Sequence, residues 1–481
     1  MSETIYPPAP RDGGTRRSLI IFERIKSAGL AHNSYLIGSD GEAAVIDPRR
    51  DCDVYVELAE REELRIRYVF ETHRNEDYVI GSGELSNLTG AEIEIFHGPG
   101  LNWGYGSTLH DGEAFRIGSL EITALHTPGH TDESMSYTLA DLSSGEDAAM
   151  VMVFTGDALF VGDVGRTDFY GPDEAERLAG ALYDSIFKRI LPLGDGVILC
   201  PAHGAGSVCG GSISERDYST IGIERASNPM LQLNRQEFIS HKTAENHERP
   251  PYFRVMERYN LEGPPLMGRL PTPPPLTPDE FKDSMVREGS IVLDARTPPS
   301  FGGAHIKGSY SIWLEGIPAY VGWVLPYNEP ILLVLECSDH LDVAVRYLVR
   351  LGYENIRGYL RGGIEAWYDA GNATEYMGLS TVHELKRRID RGDDLLVLDV
   401  RDLDEWRDGY IESAMHIHIG QLESRLSEVP RDRPITVVCN VGHRASLAAS
   451  ILMRAGYTNV CCDVLGSMKA WSVSGFPVET E

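Results

Sequence analysis

Four separate stretches in the first half of the chain carry side chains of the kinds that bind metal ions. Histidines and aspartates occur at the ends of apolar runs, in THRNEDY, HTPGH, FTGDALF and PAHG. Imidazole and carboxylate groups suit zinc and ferrous iron, and two histidines with one carboxylate are the ligand set of non-haem iron oxygenases. A single strand-end histidine is commonly an ordinary hydrogen-bonded residue, but the succession of four such stretches predicts a metal site. The candidates are His73, Asp77, His130, Asp157 and His203.

A second centre of chemistry is encoded near the C-terminus, in ITVVCNVGHRASLAASILMRAGY. An apolar strand delivers Cys439 to a loop, Gly442 permits a tight turn, and Arg444 adds positive charge before a helix begins near Ser446. Backbone N–H groups and a helix N-terminus can stabilise a thiolate in such a loop and an anionic persulfide formed on it. The pattern therefore predicts a cysteine nucleophile, rather than a buried cysteine that only fills space.

The composition narrows the partners of these two centres. The 481 residues include 44 lysines and arginines against 72 aspartates and glutamates, a formal charge of −28, which disfavours nucleic acid and anionic membrane surfaces. The N-terminal stretch lacks the apolar core of a signal peptide, and no run reaches the roughly 18 apolar residues that a membrane span needs. Seven scattered cysteines do not suggest a disulfide framework. We therefore expect a cytoplasmic protein.

Three domains are predicted, because a chain of this length exceeds a single core. The prolines of LEGPPLMGRLPTPPPLTPDE indicate an extended linker. Beyond it the chain repeats itself, since IVLDARTPPSFGGAHIKGS is similar to LLVLDVRDLDEWRDGYIES and RGGIEAW to LGSMKAW. Strands and helices alternate in each copy, which predicts α/β domains with parallel sheets. The predicted bounds are 15–262 for the first domain, 263–276 for the linker, and 277–372 and 379–479 for the two repeats.

The first domain resembles the metallo-β-lactamase fold, in particular its glyoxalase II and persulfide dioxygenase branches. HTPGHTDESMSY, FTGDALFVGDVGRTDF and PAHGAGSVCG carry the resemblance, which covers about residues 18–260. GDVGRTDF is similar to the persulfide dioxygenases, and GAGSVCG followed by STIGIERASNP is similar to bacterial forms fused to rhodanese domains. The resemblance implies an αββα sandwich.

The opening stretch departs from the THxHxDH pattern of those families, because Asn75 and Tyr78 replace its second and third histidines. The resemblance to persulfide dioxygenases implies iron ligands at the positions of Asn75, His130 and Asp157, and an amide is a weaker ligand than an imidazole. Three interpretations are open. His73 completes the ligand set while Asn75 supports it, or Asn75 itself binds weakly, or the domain holds no metal. We favour the first, because every other candidate ligand is present.

The cofactor that the resemblance implies is one ferrous iron, with zinc as the alternative. Asn75, Asp77 and His203 are then additional ligands or supports of the ligands. Tyr78 removes a second-metal ligand, which disfavours a two-zinc centre.

The reaction that the resemblance implies is oxidation of the terminal sulfur of a small thiol persulfide, such as glutathione or coenzyme A persulfide, to sulfite. Arg166, Gly204 and Cys209 are the predicted substrate-binding residues, and glycines around Gly204 would allow close backbone approach. A zinc-dependent thioester hydrolase of the glyoxalase II type is the first alternative. A metal-free binding domain attached to an active sulfurtransferase is the second.

The second repeat resembles the rhodanese family over about residues 380–479, because Cys439, Gly442 and Arg444 fit its Cys-x-x-Gly-x-Arg loop. The resemblance implies that Cys439 accepts a sulfane sulfur and passes it to a thiol, or to sulfite, which gives thiosulfate.

The first repeat lacks this loop. It aligns without gaps from Pro330 to Tyr353 and has Leu335 opposite the nucleophile, Ser338 opposite the glycine and His340 opposite the arginine. It is predicted to be inactive, with a structural or docking role, and Cys337 lies two residues beyond the nucleophile position. The chain could also assemble with copies of itself.

Overall fold

The structure is a computed structural model, and it describes residues 20–90, 92–143, 149–245, 247–463 and 465–480. The predicted start of the first domain, residue 15, lies outside the described residues. Contacts divide the chain into two units. The first contains the residues up to Arg269 together with Val349–Gly352, and the second contains Leu270–Leu348 and Tyr353–Glu481. Within the described parts of the chain, no helix is long and apolar enough to span a membrane.

The first unit contains two six-stranded sheets. The first has the strand order β1-β2-β3-β4-β5-β6, and the second β12-β11-β10-β9-β8-β7. The strands are β1 (Ile21–Ser27), β2 (His32–Ser39), β3 (Glu42–Ile46), β4 (Arg65–Phe70), β5 (Glu94–His97), β6 (Ser107–Thr108), β7 (Ala114–Ile117), β8 (Leu120–His126), β9 (Met135–Asp141), β10 (Ala149–Gly156), β11 (Ile198–Pro201) and β12 (Ser219–Thr220). Most neighbours in the second sheet are antiparallel, whereas β3 to β6 pair in parallel.

Apolar side chains from both sheets form one core between them, which includes Ile37, Phe70, Ile122 and Tyr137. Two further clusters lie under helices on the outer faces, one around Tyr55 and the other formed by residues between Val153 and Phe238. Burial on both faces explains why the strands read as nearly continuous apolar runs. The predicted αββα sandwich is confirmed. Its helices are α1 (Asp53–Arg61), α2 (Ser82–Thr89), α3 (Pro172–Ser185), α4 (Ile221–Ser227), α5 (Arg235–Ala244) and α6 (Phe253–Glu262).

The second unit contains two five-stranded sheets with parallel pairing and equivalent strand orders, β13-β17-β16-β14-β15 and β18-β22-β21-β19-β20. The strands are β13 (Pro275–Leu276), β14 (Ile291–Asp294), β15 (Tyr310–Ser311), β16 (Ile331–Val334), β17 (Ile356–Leu360), β18 (Gly378–Ser380), β19 (Leu396–Asp399), β20 (Met415–His416), β21 (Ile435–Val438) and β22 (Val460–Asp463). The shared order confirms that the two sequence repeats are two copies of one parallel-sheet domain.

The helices of the second unit fill the connections between its parallel strands, which need crossovers. They are α7 (Pro278–Arg287), α8 (Pro298–Gly303), α9 (Ile317–Val324), α10 (His340–Arg350), α11 (Gly363–Asp369), α12 (Val382–Asp390), α13 (Leu403–Arg407), α14 (His443–Arg454) and α15 (Ser467–Val473). Short π or 3₁₀ turns occupy Ile186–Ile190, Leu191–Leu193, Pro229–Gln232, Leu314–Gly316, Ile419–Gln421 and Glu423–Glu428.

Candidate metal centre and sulfur-transfer loop

Three of the predicted ligands come together at the edge where strands of both sheets end. His73 follows β4, His130 follows β8 and Asp157 follows β10, and all three side chains are buried. The Nε2 atoms of His73 and His130 lie 3.8 and 3.4 Å from Oδ2 of Asp157. The three ligand atoms lie within 4.8 Å of one another, which suits a single ion with two imidazoles and one carboxylate.

Hydrogen bonds fix which nitrogen of each ring faces this cluster. Nδ1 of His130 donates to the carbonyl oxygen of Arg166 at 3.0 Å. Nδ1 of His73 lies 2.9 Å from the hydroxyl of Thr72, and that hydroxyl donates to Asp47. With both Nδ1 atoms as donors, each Nε2 keeps a lone pair for a metal, the usual arrangement of metal-binding histidines.

The remaining chemistry of the two rings also fits a metal. Among the described residues, Nε2 of His73 and Nε2 of His130 have no hydrogen-bond partner although both are buried. Burial lowers the pKa of His73 to about 3 and lowers the pKa of His130, although Asp157 opposes both shifts. A bound cation requires neutral rings whose nitrogens are directed at it. Leaving these buried nitrogens unpaired costs free energy, which a bound cation would offset.

Asn75 makes a side-chain contact within its own loop through its amide nitrogen. Its Nδ2 donates to the carbonyl of His73 at 3.2 Å, while Nδ2 of Asn260 donates to the carbonyls of Asn75 and Tyr78. Oδ1 of Asn75 is buried and has no hydrogen-bond partner in the described parts of the chain. The cluster thus contains His73, while Asn75 has a supporting contact and, among the described residues, an unpartnered oxygen, and the choice of His73 as the third ligand stays a prediction.

His203 follows β11 and lies between two carboxylates. Its Nδ1 is 2.8 Å from Oδ1 of Asp157, and its Nε2 is 3.0 Å from Oδ2 of Asp77. Burial opposes a charged ring, but Asp157 and Asp77 raise the pKa of His203 well above its ordinary value. Burial likewise opposes a charged Asp157, but His203 and His73 hold the pKa of that carboxyl below its ordinary range. His203 thus fixes the orientation of Asp157.

The three predicted substrate-binding residues occupy different settings. Arg166 is buried, its guanidinium bonds to Asp168 at 2.6 and 2.7 Å, and its carbonyl accepts from His130. In this setting Arg166 positions His130, and its predicted contact with substrate stays a prediction. Cys209 is also buried, and burial raises the pKa of its thiol. Its Sγ lies within 4.8 Å of side-chain ligand atoms of Asp77 and His203.

Gly204 lines a cavity of about 550 Å³ that reaches His203. The lining of the cavity also has three basic side chains, those of Arg24, Lys26 and Arg216, and two acidic ones, those of Glu215 and Asp217. Asp217 pairs with both Arg24 and Lys26. A molecule of the size of a small thiol could enter it, with basic groups at hand for its carboxylates or phosphates.

Sequence reasoning missed two residues of this region. Asp47 accepts hydrogen bonds from both the N–H and the hydroxyl of Thr72, and burial raises its pKa to about 7. His32 is buried, and its ring centroid lies 4.1 Å from that of Tyr78 and 5.7 Å from that of His203. The Asp in AAVIDP follows an apolar strand, which is a usable signal, but nothing in the pattern around His32 pointed to the site.

The predicted sulfur-transfer loop follows β21. The N–H of Gly442 donates to Sγ of Cys439 at 3.0 Å, and Gly442 adopts a φ of 105°, a conformation that favours glycine. The N–H of Cys439 donates to the hydroxyl of Ser467, and α14 begins at His443. Burial raises the pKa of Cys439 above its usual value, although Arg444 and the loop N–H groups lower it. The expected stabilisation of the thiolate is present, but burial outweighs it in the resting thiol.

Arg444 is held by carboxylates outside the loop. Its guanidinium makes two bonds to Glu405, at 2.7 and 2.9 Å, and a third to Asp402 at 3.2 Å. Both acids belong to the N-terminal turn of α13, where they form a capping box. The arginine is therefore positioned by an element nearly forty residues away in the sequence.

The first repeat has a different loop at the equivalent place. Leu335 is buried where the nucleophile would stand, and Cys337 is exposed. The carboxylate of Glu336 accepts bonds from the N–H of Thr297 and the hydroxyl of Ser300. A cavity of about 390 Å³ lies beside this loop, and its lining includes Glu336 and Arg296.

These features define a class of protein. Residues 28–203 match the metallo-β-lactamase superfamily, and residues 277–370 and 381–474 each match the rhodanese-like domain. In a comparison of structures, a metallo-β-lactamase from Staphylococcus aureus subsp. aureus COL superposes with a TM-score of 0.63 and 29% identity, covering 72% of this chain and 99% of that one.

Sequence comparison narrows the class. The human mitochondrial persulfide dioxygenase ETHE1 is 32% identical over 258 residues, covering 50% of this chain and 88% of the relative. The hydroxyacylglutathione hydrolase GloC of Haemophilus influenzae is 27% identical over 234 residues, covering 44% of this chain and 97% of the relative. The chain belongs to the ETHE1-type persulfide dioxygenase family of the metallo-β-lactamase superfamily, with two rhodanese-like domains following the family's domain.

Proposed function

We propose that the protein oxidises the sulfane sulfur of a low-molecular-weight thiol persulfide at the first site and transfers sulfane sulfur through Cys439 at the second. The observation that carries the first half is the pair of buried, unpartnered Nε2 atoms of His73 and His130, which converge on Asp157. The membership of the family and the complete Cys-x-x-Gly-x-Arg loop support the combination. The scattered cysteines and the acidic charge are consistent with action in the cytoplasm.

His73, His130 and Asp157 would hold one metal ion, which we propose to be ferrous iron. When bound, iron supplies the redox chemistry that couples reduction of dioxygen to oxidation of the sulfane sulfur. The balanced reaction consumes a persulfide, dioxygen and water and releases the thiol, sulfite and two protons. The residues of this chain orient the ligands: Thr72 and the carbonyl of Arg166 fix the two imidazoles, and His203 fixes the carboxylate.

The cavity at Gly204 is the proposed entry for the thiol carrier. Its three basic lining residues, Arg24, Lys26 and Arg216, outnumber its two acidic ones in a chain whose net charge is −28. Carboxylates of glutathione, or phosphates of coenzyme A, would be attracted by that local charge. The persulfide end of the carrier would then point inward, past His203.

At the second site, the Cys439 thiolate attacks the sulfane sulfur of a donor. The bond between that sulfur and the carrier breaks, the carrier leaves as a thiolate or as sulfite, and Cys439 becomes a persulfide. An acceptor thiolate or sulfite then attacks the outer sulfur and regenerates the Cys439 thiolate. The N–H of Gly442 already donates to Sγ, and Arg444 adds positive charge near the anionic persulfide.

The experiment purifies the full chain without oxygen, loads it with ferrous iron and follows oxygen uptake and sulfite release on glutathione persulfide. We expect uptake by the wild type and by His241→Ala, a histidine on α5 with a side chain 58% exposed. We expect His130→Ala to lose both bound iron and uptake, because it removes a ligand. Iron-loaded wild type that binds the metal but consumes no oxygen would contradict the proposal.

A zinc-dependent thioester hydrolase is the second candidate, and the 27% identity to a hydroxyacylglutathione hydrolase favours it over a metal-free binding domain. Zinc-loaded protein would then cleave a glutathione thioester without oxygen, and iron would confer no uptake. A metal-free binding domain predicts neither activity and no metal in the purified protein.

A further inference from the structure

One segment of the inactive repeat lies against the sulfur-transfer loop of the other. It comprises residues 310–324, which contain β15, the turn Leu314–Gly316 and α9, and we call it the aromatic segment. The hydroxyl of Ser311 lies 2.7 Å from that of Ser446, and the N–H of Ser311 donates to the hydroxyl of Ser450 at 3.1 Å. Both partners belong to α14, the helix that directly follows the loop. The segment is therefore anchored beside the nucleophile.

One ring of this segment packs against the end of the loop, and a second ring packs against the first. The ring centroid of Trp313 is 4.6 Å from that of His443, the residue that follows Gly442, with the planes inclined by 32°. The ring of Tyr320 lies 5.3 Å from that of Trp313. Aromatic pairs at these distances are in direct contact and contribute favourably to packing. Trp313 and Tyr320 thus form a continuous aromatic surface at the start of α14.

Tyr320 shares the electrostatic environment of the nucleophile. Burial raises the pKa of its phenol to about 12, with Arg444 opposing the rise and Asp402 and Cys439 adding to it. The phenol therefore stays neutral near neutral pH and can donate a hydrogen bond to an anion. Cys439 itself is only 1% exposed, so a sulfur donor must pass neighbouring side chains to reach the thiol.

This surface is not a feature that both repeats share. Strand pairing makes Ser311 the equivalent of His416, since Ser311 pairs with Asp294 and His416 with Asp399. Two residues further on, Trp313 stands where the second repeat has His418. The inactive repeat thus has a leucine in place of the nucleophile but presents a large aromatic ring to the loop of its neighbour.

We infer that Trp313 and Tyr320 of the inactive repeat form one wall of the sulfur-transfer site and determine which sulfur donors reach Cys439. The inference rests on the proposed transfer at Cys439. The wall lies beside a loop whose N–H donors and arginine attract anions, so we expect a slender, anionic sulfane group to suit the site. Thiosulfate and small thiol persulfides fit this description, whereas a persulfide on a protein surface is obstructed.

The test compares two donors, thiosulfate and persulfidated serum albumin, in the full-length protein. In Trp313→Ala we expect kcat/KM for the albumin donor to rise relative to that for thiosulfate by about tenfold, the effect of relieving one steric obstruction. Trp313→Phe should restore most of the wild-type preference. Tyr320→Phe should keep the preference but raise KM for thiosulfate, because the phenol hydrogen bond is lost.

A second readout does not depend on turnover. Iodoacetamide should modify Cys439 faster in Trp313→Ala than in the wild type, as measured by mass spectrometry of the Cys439 peptide. Tyr368→Ala, which removes a ring 67% exposed on α11 of the same repeat, should change neither readout. Equal rates of Cys439 modification in the wild type and in folded Trp313→Ala would overturn the inference. Faster modification without any sulfur transfer by the wild type would instead contradict the proposed function alone.

Discussion

The two proposed sites are built in opposite ways from the sequence. The metal centre collects His73, His130 and Asp157 from loops that follow three different strands. The sulfur-transfer loop supplies Cys439, Gly442 and Arg444 within six consecutive residues. The sulfur-transfer loop nonetheless depends on distant residues as the metal centre does, because Glu405, Asp402 and Ser467 hold it from outside. Contiguity makes a motif easy to find, but it does not make the site self-sufficient.

The first repeat, which we predict to be inactive, also depends on contacts from outside its loop. Both repeats carry a buried aspartate–arginine pair after the equivalent strand, Asp294 with Arg296 and Asp399 with Arg401. In the first repeat, Thr297 and Ser300 stand where Asp402 and Glu405 stand in the second, and they hold the loop's Glu336 instead of an arginine. The fold is shared, but the loop of the first repeat carries the carboxylate of Glu336 and has His340 at the position of the arginine. A carboxylate in this loop repels anionic sulfur donors.

The largest expected effect is on sulfur transfer when the nucleophile is removed. If transfer persisted, the contrast between the two sites would no longer hold. Cys439→Ala should reduce thiosulfate–thiol sulfur transfer by about a thousandfold or more, because the nucleophile has no substitute in place. Oxygen uptake on glutathione persulfide by the iron-loaded protein should remain. Cys337→Ala, which removes an exposed cysteine of the first repeat, serves as the matched control and should retain transfer. Substantial transfer by Cys439→Ala would show that another thiol carries the sulfur.

Transferring the sulfur-transfer loop to the first repeat tests whether its six consecutive residues are sufficient for activity. In the Cys439→Ala background, residues 335–340 are replaced by CNVGHR, with and without Thr297→Asp and Ser300→Glu. We expect the version with both acids to exceed the loop alone by roughly tenfold, since charge-assisted bonds contribute on the order of 1.5–3 kcal/mol. Transfer activity and thermal unfolding are measured together. Equal activity of the two transplants would mean that the loop needs no support from the neighbouring helix.

The pH dependence of transfer probes the same support in the natural loop. The resting Cys439 has a raised pKa, so the transfer rate should increase as the pH rises from neutral, until the thiolate predominates. Arg444 lowers that pKa, so Arg444→Met should move the profile to higher pH and reduce the rate most at neutral pH. Arg407→Met removes an arginine with a side chain 51% exposed on α13 and should leave the profile in place. An unshifted profile in Arg444→Met would refute the electrostatic role of Arg444.

The smallest expected effect distinguishes a ligand from a support in the metal centre. His73→Ala should abolish iron binding, whereas Asn75→Ala should keep the iron and lose about 1 kcal/mol of the free energy of unfolding, from one hydrogen bond to the carbonyl of His73. Metal analysis and urea unfolding of the two variants give the comparison. Loss of iron in Asn75→Ala with retention in His73→Ala would reverse the assignment.

The fold was largely predictable because its signals are local. Alternating strands and helices after the linker predicted the parallel sheets, and the internal repeat predicted two copies of one domain. The metal candidates could also be predicted, since His73, His130 and Asp157 each follow a recognisable apolar run. The support given by Asp47 through Thr72 could not, because it joins side chains that lie 25 residues apart and follow different strands.

The sequence by itself determined the residue types that can do chemistry: the cysteine loop, the strand-end histidines and aspartates, and the loss of the nucleophile in one repeat. Only the tertiary structure decided how they are used. It turned the amide nitrogen of Asn75 to the backbone of its own loop, placed His203 between Asp157 and Asp77, and brought Trp313 over the start of α14. The physical reason is that ligand geometry, burial and side-chain contacts depend on distances between segments far apart in the chain, which no local pattern records.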